Sequence, residues 1–425
     1  MGPILFVVFV IGMLMGLPIA FAIGVANAIT LPLTSNLPFL VLPQRMYVSL
    51  DSFTLLAVPL FILAGNLMET GGISKRLVTL ANVLVGRVKG GLGLTVIVST
   101  IFFSGLSGSS NADTAAIGSV TIPPMLKKGY PPAFAAAIVA SAGGMGILIP
   151  PCILMILYAV IANASIGGLF AAGFIPGFIM GASILVLTYY KARQMDLPTE
   201  PAVTCGEAVK AGLDSILPMM TPVIIIGGIL GGIFTATEAA GVSVLYAFIL
   251  SVLIYREIKL SDLPGILVSS CKTIGIVMLL LAMSSIFAWL LAADQVPLKL
   301  ASFMLSVSSE PWVFLLMTNI LLFIAGMFLD GAAALIILVP ILAPIATKLG
   351  IDPIHFGIVV VANLGVGLVT PPVGLSLYIA CGIARVTLEQ VFRPVLPYVA
   401  VLFVTLLVIT YVPQITLFLP RLMGF

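Results

Sequence analysis

Apolar stretches long enough to cross a bilayer follow one another almost without interruption from residue 3 to residue 420. A membrane's hydrocarbon core is about 30 Å thick and takes about 20 helical residues to cross. Such runs fall near 3–34 (long enough for two short spans), 53–69, 132–162, 167–190, 214–234, 237–255, 264–293, 354–384 and 390–420. The chain is 61% hydrophobic and 8% charged, whereas a soluble domain has about 25% charged residues. Lipid, not water, is the solvent this composition fits. It offers no partner to a free peptide group, and nothing here alternates with the period of two that a barrel strand needs. The expected fold class is an all-α polytopic membrane protein.

Composition also removes several functions. The net charge of +3 is small and scattered, which argues against nucleic acid. The one His is His355, and Cys152, Cys205, Cys271 and Cys381 lie far apart without a CxxC, so a zinc site or disulfide framework is not expected. The opening Met1-Gly2-Pro3-Ile4 lacks a basic segment and reads as a span rather than a cleaved signal. The longest polar stretch, about 191–213, is too short for a water-soluble domain. A scarce ligand would therefore have to be captured by another protein.

The chain repeats itself. Shifted by 221 residues, Pro150-Pro151 meets Pro371-Pro372, and no gap is needed from 101 to 177. Gly105 meets Gly326, Pro123 meets Pro344, Gly129 meets Gly350, and Gly144 and Gly146 meet Gly365 and Gly367. Apolar matches mean little here, but Gly and Pro fix backbone shape. The two units read as 1–190 and 214–425, joined by a cytoplasmic linker at 191–213. Each holds one apolar region broken by small polar residues, at 92–126 and 311–347. Arg87 and Lys89 before the first region, and Lys127 and Lys128 after it, put both its ends on the cytoplasmic side, so it is expected to be a re-entrant hairpin. Basic residues are sparse around the second, which puts it on the opposite face. Inverted repeats with helices broken at mid-membrane are the architecture of secondary transporters.

Two constellations stand out. The first hairpin's tip is Ser104-Gly105-Leu106-Ser107-Gly108-Ser109-Ser110-Asn111-Ala112-Asp113-Thr114, and its partner is Gly143-Gly144-Met145-Gly146 ahead of Pro150-Pro151, within 132–162. Paired prolines remove helical N–H donors and the Gly run lets the backbone unwind, exposing carbonyls inside the membrane. An all-oxygen, nearly neutral cage suits Na⁺ better than Ca²⁺ or Mg²⁺. The alternative is a kinked helix packed through small residues. The repeat mate pairs Gly326-Met327-Phe328-Leu329-Asp330-Gly331-Ala332 with Asn363 to Pro372, the break in 354–384. By symmetry it holds a second Na⁺, with Gly326, Gly367 and Thr370 as oxygen donors.

Asp113 and Asp330 are carboxylates near mid-membrane, so each needs a partner or a function. Each is also placed to cap its hairpin's second helix. Substrate is expected between the tips, where half-helix N-termini favour a carboxylate, with Ser107, Ser109, Asn111, Asp113 and Asp330 as candidates. Glu238 is expected to cap the span at 237–255. The stretch 73–89 reads as an interfacial helix, with a solvated connector as its alternative. Arg45 and Asp51 are expected on an outer loop. Two rival functions remain. Gly105-Leu106-Ser107-Gly108 spells the GxSG of intramembrane serine proteases, which would need His355 beside Ser107. An ion channel would need a continuous polar path.

These residues resemble a known family. The hairpin Ser104–Thr114, the paired Gly…Pro-Pro breaks, Leu56-Ala57-Val58-Pro59 with Gly71-Gly72-Ile73, and Gly326 to Asp330 are similar to the large membrane subunit of tripartite ATP-independent periplasmic (TRAP) transporters. The likeness covers essentially the whole chain. Ser49-Leu50-Asp51-Ser52-Phe53 is most similar to the sialic-acid members. The resemblance implies an ion-transporter-superfamily fold, elevator motion, Na⁺ as energy source, import of an organic anion and a bacterial inner-membrane location. A C4-dicarboxylate is the alternative substrate. It implies one Na⁺ at Ser104, Ser107, Asn111, Gly144, Ile147 and Pro150, and another at Gly326, Phe328, Gly367 and Thr370. It also implies a small membrane subunit and a periplasmic substrate-binding protein as partners. Because Met1 opens directly on the first large-subunit span, the small subunit is expected to be a separate polypeptide. The transport domain would comprise both hairpins with 132–162 and 354–384, and no enzymatic activity is expected.

Overall fold

A computed structural model describes residues 1–35, 37–201, 203–296, 299, 302 and 310–425. All regular structure among the described residues is helical, and 8 helices are long and apolar enough to cross a membrane. Their outward faces are greasy. Val186 is 69% exposed, Ile276 67% and Val404 60%, which only a hydrocarbon solvent tolerates at this scale.

One pattern occurs twice. A first hairpin, Gly91–Ser107 and Ser110–Lys127, leads into a first broken helix, Pro132–Gly146 and Ile153–Ala162. A second hairpin, Pro311–Phe328 and Gly331–Lys348, leads into a second broken helix, Pro353–Gly367 and Leu375–Ala384. Each broken helix starts on a proline, where the missing N–H costs nothing. The second start is reinforced by Asp352, whose carboxylate accepts the Ile354 N–H at 2.8 Å. Each first half stops at a glycine, Gly146 or Gly367, ahead of the proline pair that cannot donate to the next turn.

The two first halves form the centre of the molecule. Every residue from Phe134 to Gly146 is buried, and so is every residue from His355 to Gly367. They cross at glycine. A Cβ on Gly365 would lie 2.4 Å from the Gly144 carbonyl oxygen, and one on Gly144 would lie 2.7 Å from the Gly365 oxygen. Each residue touches its own repeat mate, as a two-fold axis requires. No other side chain fits this approach.

Elsewhere local chemistry explains departures from the sequence reading. Region 3–34 forms two helices, Gly2–Leu14 and Ile19–Thr34. The segment read as an outer loop is mostly the helix Val41–Leu50, and Arg45 stacks over Trp289, 4.9 Å from the ring centroid. The linker 191–213 is largely helical, although Ala202 within it lies outside the described residues. Helix Ile166–Gln194 runs into it, and Cys205–Leu230 starts within it at a capping box between Thr204 and Glu207. The span read at 390–420 is divided at Pro413 into Leu388–Tyr411 and Pro413–Leu422. Residues Ile73–Val85 form an amphipathic helix that buries Ile73, Leu77 and Ala81. Glu238 closes a capping box with Thr235 at the start of Ala236–Phe248.

Candidate ion and substrate site between the hairpin tips

The first tip turns on Gly108, whose φ of +63° lets its N–H reach back to the Ser104 carbonyl at 3.2 Å. The turn brings both serines onto one carboxylate. Ser104 and Ser107 each donate their hydroxyl to Asp113, one to each oxygen. Asp113 is 1% exposed. Gly146 seals this cluster: a Cβ there would lie 2.2 Å from Ser104 Oγ and 2.7 Å from Asp113 Oδ2. In the adjoining break, the Leu148 N–H turns to Met145 at 3.1 Å rather than to Gly144. The residues three and four beyond Ile147 are Pro150 and Pro151, so no N–H exists to meet the Ile147 carbonyl. No described hydrogen bond reaches the carbonyls of Ile147 or Pro150.

The second tip is built differently. Gly326 and Gly367 meet backbone to backbone, with a Cβ on Gly367 only 2.6 Å from Gly326 Cα. Asp330 caps Gly331–Lys348, accepting the Ala332 N–H at 3.1 Å. The Thr370 hydroxyl donates to the Val366 carbonyl at 2.7 Å. The Phe328 side chain is 54% exposed, so any contribution from it to an ion is its carbonyl. Leu368 is the repeat mate of Ile147, but its carbonyl is met by the Ser376 N–H at 3.1 Å. The second break is thus partly closed upon itself.

Hydrogen bonds lock the four parts together. The Ile153 N–H donates to Gly108 at 3.1 Å, and the Gly374 N–H to Met327 at 3.3 Å. Ser376 Oγ lies 2.9 Å from Ser110 Oγ and donates to Asn111 Oδ1 at 3.2 Å. Asn111 Nδ2 then donates to Asp330 Oδ1 at 3.4 Å, joining the tips. Beside them lies a cavity of about 460 Å³. Its floor is Ser107, Ser109, Ser110, Asn111 and Asp330, and its facing wall is Asn66, Thr273, Ile276 and Val277 from helices Ala57–Thr70 and Leu263–Ala293.

Of the residues expected around substrate, Ser107, Ser109, Asn111 and Asp330 line this cavity and Asp113 does not. Asp113 lies behind the tip, held by the two serines, and it does not cap its helix. Ser109 occupies the N-cap position instead. The structure adds Asn66 and Thr273 to the lining and, behind it, Ser376 as the tie between Ser110 and Asn111. Ser376 has Met155 as its repeat mate, and nothing in the sequence marks it. The protease geometry is missing: the Ser107 hydroxyl serves Asp113, while His355 Nδ1 meets Thr416 Oγ1 at 2.8 Å and Nε2 meets the Thr410 carbonyl at 3.1 Å. Neither ring nitrogen is available to a serine.

Residues 6–415 match the family described as "Tripartite ATP-independent periplasmic transporter, DctM component". The chain belongs to this family. The permease is 41% identical over 403 residues to the C4-dicarboxylate TRAP transporter large permease protein DctM of Pseudomonas aeruginosa, covering 95% of this chain and 94% of that one. It is 38% identical to the sialic acid TRAP transporter large permease protein SiaM of Vibrio cholerae, covering 96% of this chain and 95% of that one. Its fold is similar to the crystal structure of the Alcanivorax borkumensis YdaH transporter, described as having an unusual topology. That match has a TM-score of 0.65 at 16% identity and covers 95% of this chain and 97% of that one. The permease is therefore the large membrane component of a tripartite transporter, a multi-pass protein of the bacterial inner membrane.

Proposed function

We propose that the permease imports an organic anion by coupling it to Na⁺, with an N-acylated sugar acid of the sialic-acid type as first candidate and a C4-dicarboxylate as the second. The observation that carries the Na⁺ assignment is the first break, whose Ile147 and Pro150 carbonyls meet no hydrogen-bond donor among the described residues and adjoin a tip rich in hydroxyls. The donor set fits a small monovalent cation. It is all oxygen, and no three His, Cys, Asp or Glu cluster anywhere among the described residues. Ser104, Ser107, Asn111, Gly144, Ile147 and Pro150 would hold one ion. Gly326, Phe328, Gly367 and Thr370 would hold the other. Bound there, the ions would offset the anion's charge and add inward drive of about 2.3 kcal/mol per net positive charge per 100 mV.

Elevator motion is the mechanism we assign to the permease. Support comes from the contrast between two kinds of contact. The hairpins and broken helices are cross-tied by the Ser110–Ser376–Asn111–Asp330 chain. The facing scaffold wall is largely apolar at Ile62, Ile276 and Val277. A hydrogen-bonded body can slide along such a wall without breaking many polar contacts. Both relatives are large permeases by name, which supports a small membrane subunit as partner, and the family's description as a periplasmic transporter supports a periplasmic binding protein. Both substrate candidates also appear in the names of these relatives.

The test is uptake into proteoliposomes holding the permease and its small subunit, with binding protein outside. Labelled N-acetylneuraminate and succinate are offered under an imposed inward Na⁺ gradient. Accumulation of one of them with Na⁺ and none with choline is expected. Equal accumulation in choline would remove Na⁺ coupling from the account.

A further inference from the structure

Two connectors meet at the cytoplasmic base of the first hairpin. One is the amphipathic helix Ile73–Val85 with the turn at 86–90 that opens the hairpin. The other is the segment at 195–204, between helices Ile166–Gln194 and Cys205–Leu230. The amphipathic helix is anchored near its start. Arg76 stacks over the Tyr255 ring, 3.7 Å from its centroid, and lies 3.4 Å from Glu257. Ser215 Oγ, on Cys205–Leu230, donates to the Arg76 carbonyl at 3.1 Å. The hairpin is anchored elsewhere. A Cβ on Gly90 would lie 2.1 Å from Ala192 Cβ, and one on Gly93 would lie 3.0 Å from Thr188 Cγ2, both on Ile166–Gln194. A change of angle between these two anchored pieces falls on the turn at 86–90, where Gly90 already has a φ of +74°.

The second connector splints that turn. The Glu200 N–H donates to the Gly86 carbonyl at 3.1 Å, and the Gly90 N–H donates to the Pro198 carbonyl at 3.4 Å. Arg87 Nη2 donates to the Val203 carbonyl at 2.6 Å. Lys89 pairs with Asp196 in the open, where salt screens such a pair and leaves it worth little. Glu200 is placed differently. Its side chain is only 14% exposed, and Lys128 Nζ lies 2.9 and 3.1 Å from its two oxygens. Lys128 is the C-cap of Ser110–Lys127, the second arm of the hairpin. One residue thus holds the near side of the turn through its backbone and the hairpin's base through a shielded, charge-assisted bond. If the turn changes its angle, Lys128 moves relative to Gly86, and Glu200 cannot keep both.

We infer that Glu200 is a positioning residue for transport: it latches the turn at 86–90 in the angle seen here, and it must release Lys128 before the hydrogen-bonded body can move. This rests on the sliding motion proposed above. Glu200 does not line the cavity between the tips, so it acts on the balance between two arrangements of the permease rather than on a ligand.

The experiment measures distances by double electron–electron resonance in the detergent-purified complex of the permease with its small subunit. Spin labels are carried by Thr79→Cys on the amphipathic helix and Lys127→Cys at the hairpin's base, both exposed positions. The exposed native Cys205 and Cys271 are replaced by serine. Glu200→Gln is expected to lower the population at the wild-type spacing, relative to all other spacings, about fivefold. The reversed pair K128E/E200K is expected to bring that ratio back to within about twofold of wild type. A distribution that E200Q leaves unchanged would overturn the latch. A loss in E200Q that the reversed pair does not restore would overturn Lys128 as the group that Glu200 holds. Uptake in the reconstituted system gives a second readout. K128C/E200C, bridged by a short reducible bifunctional thiosulfonate in the same serine background, is expected to lose uptake and to regain it on reduction. Full uptake while bridged would overturn the requirement for release. The spacings are read without substrate or gradient, so absence of Na⁺-dependent uptake in the wild type would remove the importer reading and leave the latch to be decided by the resonance data.

Discussion

Gly365→Ala probes the point where the two broken helices cross. The new methyl would lie 2.4 Å from the Gly144 carbonyl oxygen and 2.8 Å from Ile147 Cγ2. Ordinary van der Waals contact to a Cβ begins at about 3.4 Å, so the first broken helix must retreat by about 1 Å. The obstacle is backbone, and both helices are buried along their length here, so rotamer changes cannot absorb the shift. Overpacking of this kind costs about 1–3 kcal/mol. Gly144 and Ile147 are also two of the proposed ligands to the first ion, and the displacement moves both. If about 1.4 kcal/mol of the strain falls on the ion-bound form, the apparent Na⁺ affinity drops about tenfold. The assay is thermal unfolding of the purified permease complex over a series of NaCl concentrations at constant ionic strength. G365A should melt earlier than wild type and need about tenfold more Na⁺ to reach half of its stabilisation. A variant with wild-type melting would contradict the close crossing. A variant that melts earlier but keeps its Na⁺ midpoint would detach the crossing from the ion.

Other expectations concern single groups. Asn111→Ala and Thr370→Ala should each raise the Na⁺ concentration for half-maximal uptake in the reconstituted system, because Asn111 joins the tips and Thr370 lies in the second break; unchanged Na⁺ dependence in both would remove the ion assignments. His355→Ala should destabilise the fold by about 2–4 kcal/mol, as a buried ring with both nitrogens engaged is lost, and should leave the Na⁺ midpoint of the surviving protein in place, which melting curves in NaCl would check. Wild-type protein should not cleave a model transmembrane peptide, since Ser107 serves Asp113, and appearance of a fragment on mass spectrometry would revive the protease reading.

The parts of the fold legible in the sequence are those fixed by residues with restricted backbones. Pro150-Pro151 and Pro371-Pro372 mark both breaks, and the glycine pairs at 144 and 365, and at 146 and 367, mark the close approaches. Gly and Pro report their geometry without help from neighbours, which is why a shift of the sequence against itself finds them. Contacts made across space leave no such trace. Ser376 is one hydroxyl in an apolar helix, and it bridges Ser110 and Asn111 only because the second broken helix resumes beside the first tip. Asn66 and Thr273 line the cavity from helices Ala57–Thr70 and Leu263–Ala293 for the same reason. Asp113 and Asp330 looked alike as lone carboxylates in apolar surroundings. The structure separates them because Ser104 and Ser107 precede Asp113 on the adjoining arm and draw it inward, whereas Met327 to Leu329 offer Asp330 no side-chain donor and leave it to cap its helix. The helix Val41–Leu50 stands where Arg45 and Asp51 suggest an outer loop, because an apolar run interrupted by Pro43, Gln44 and Arg45 is too short to mark a span, and a proline within the first turn is compatible with a helix.

The most direct measurement is a high-resolution cryo-electron density map of the permease with its small subunit, prepared once in NaCl and once in choline chloride. The account predicts a compact peak against the carbonyls of Ile147 and Pro150, and a second against Gly326 and Gly367, present in Na⁺ and lost in choline. Breaks that look the same in both salts, with no density beside those oxygens, would contradict it.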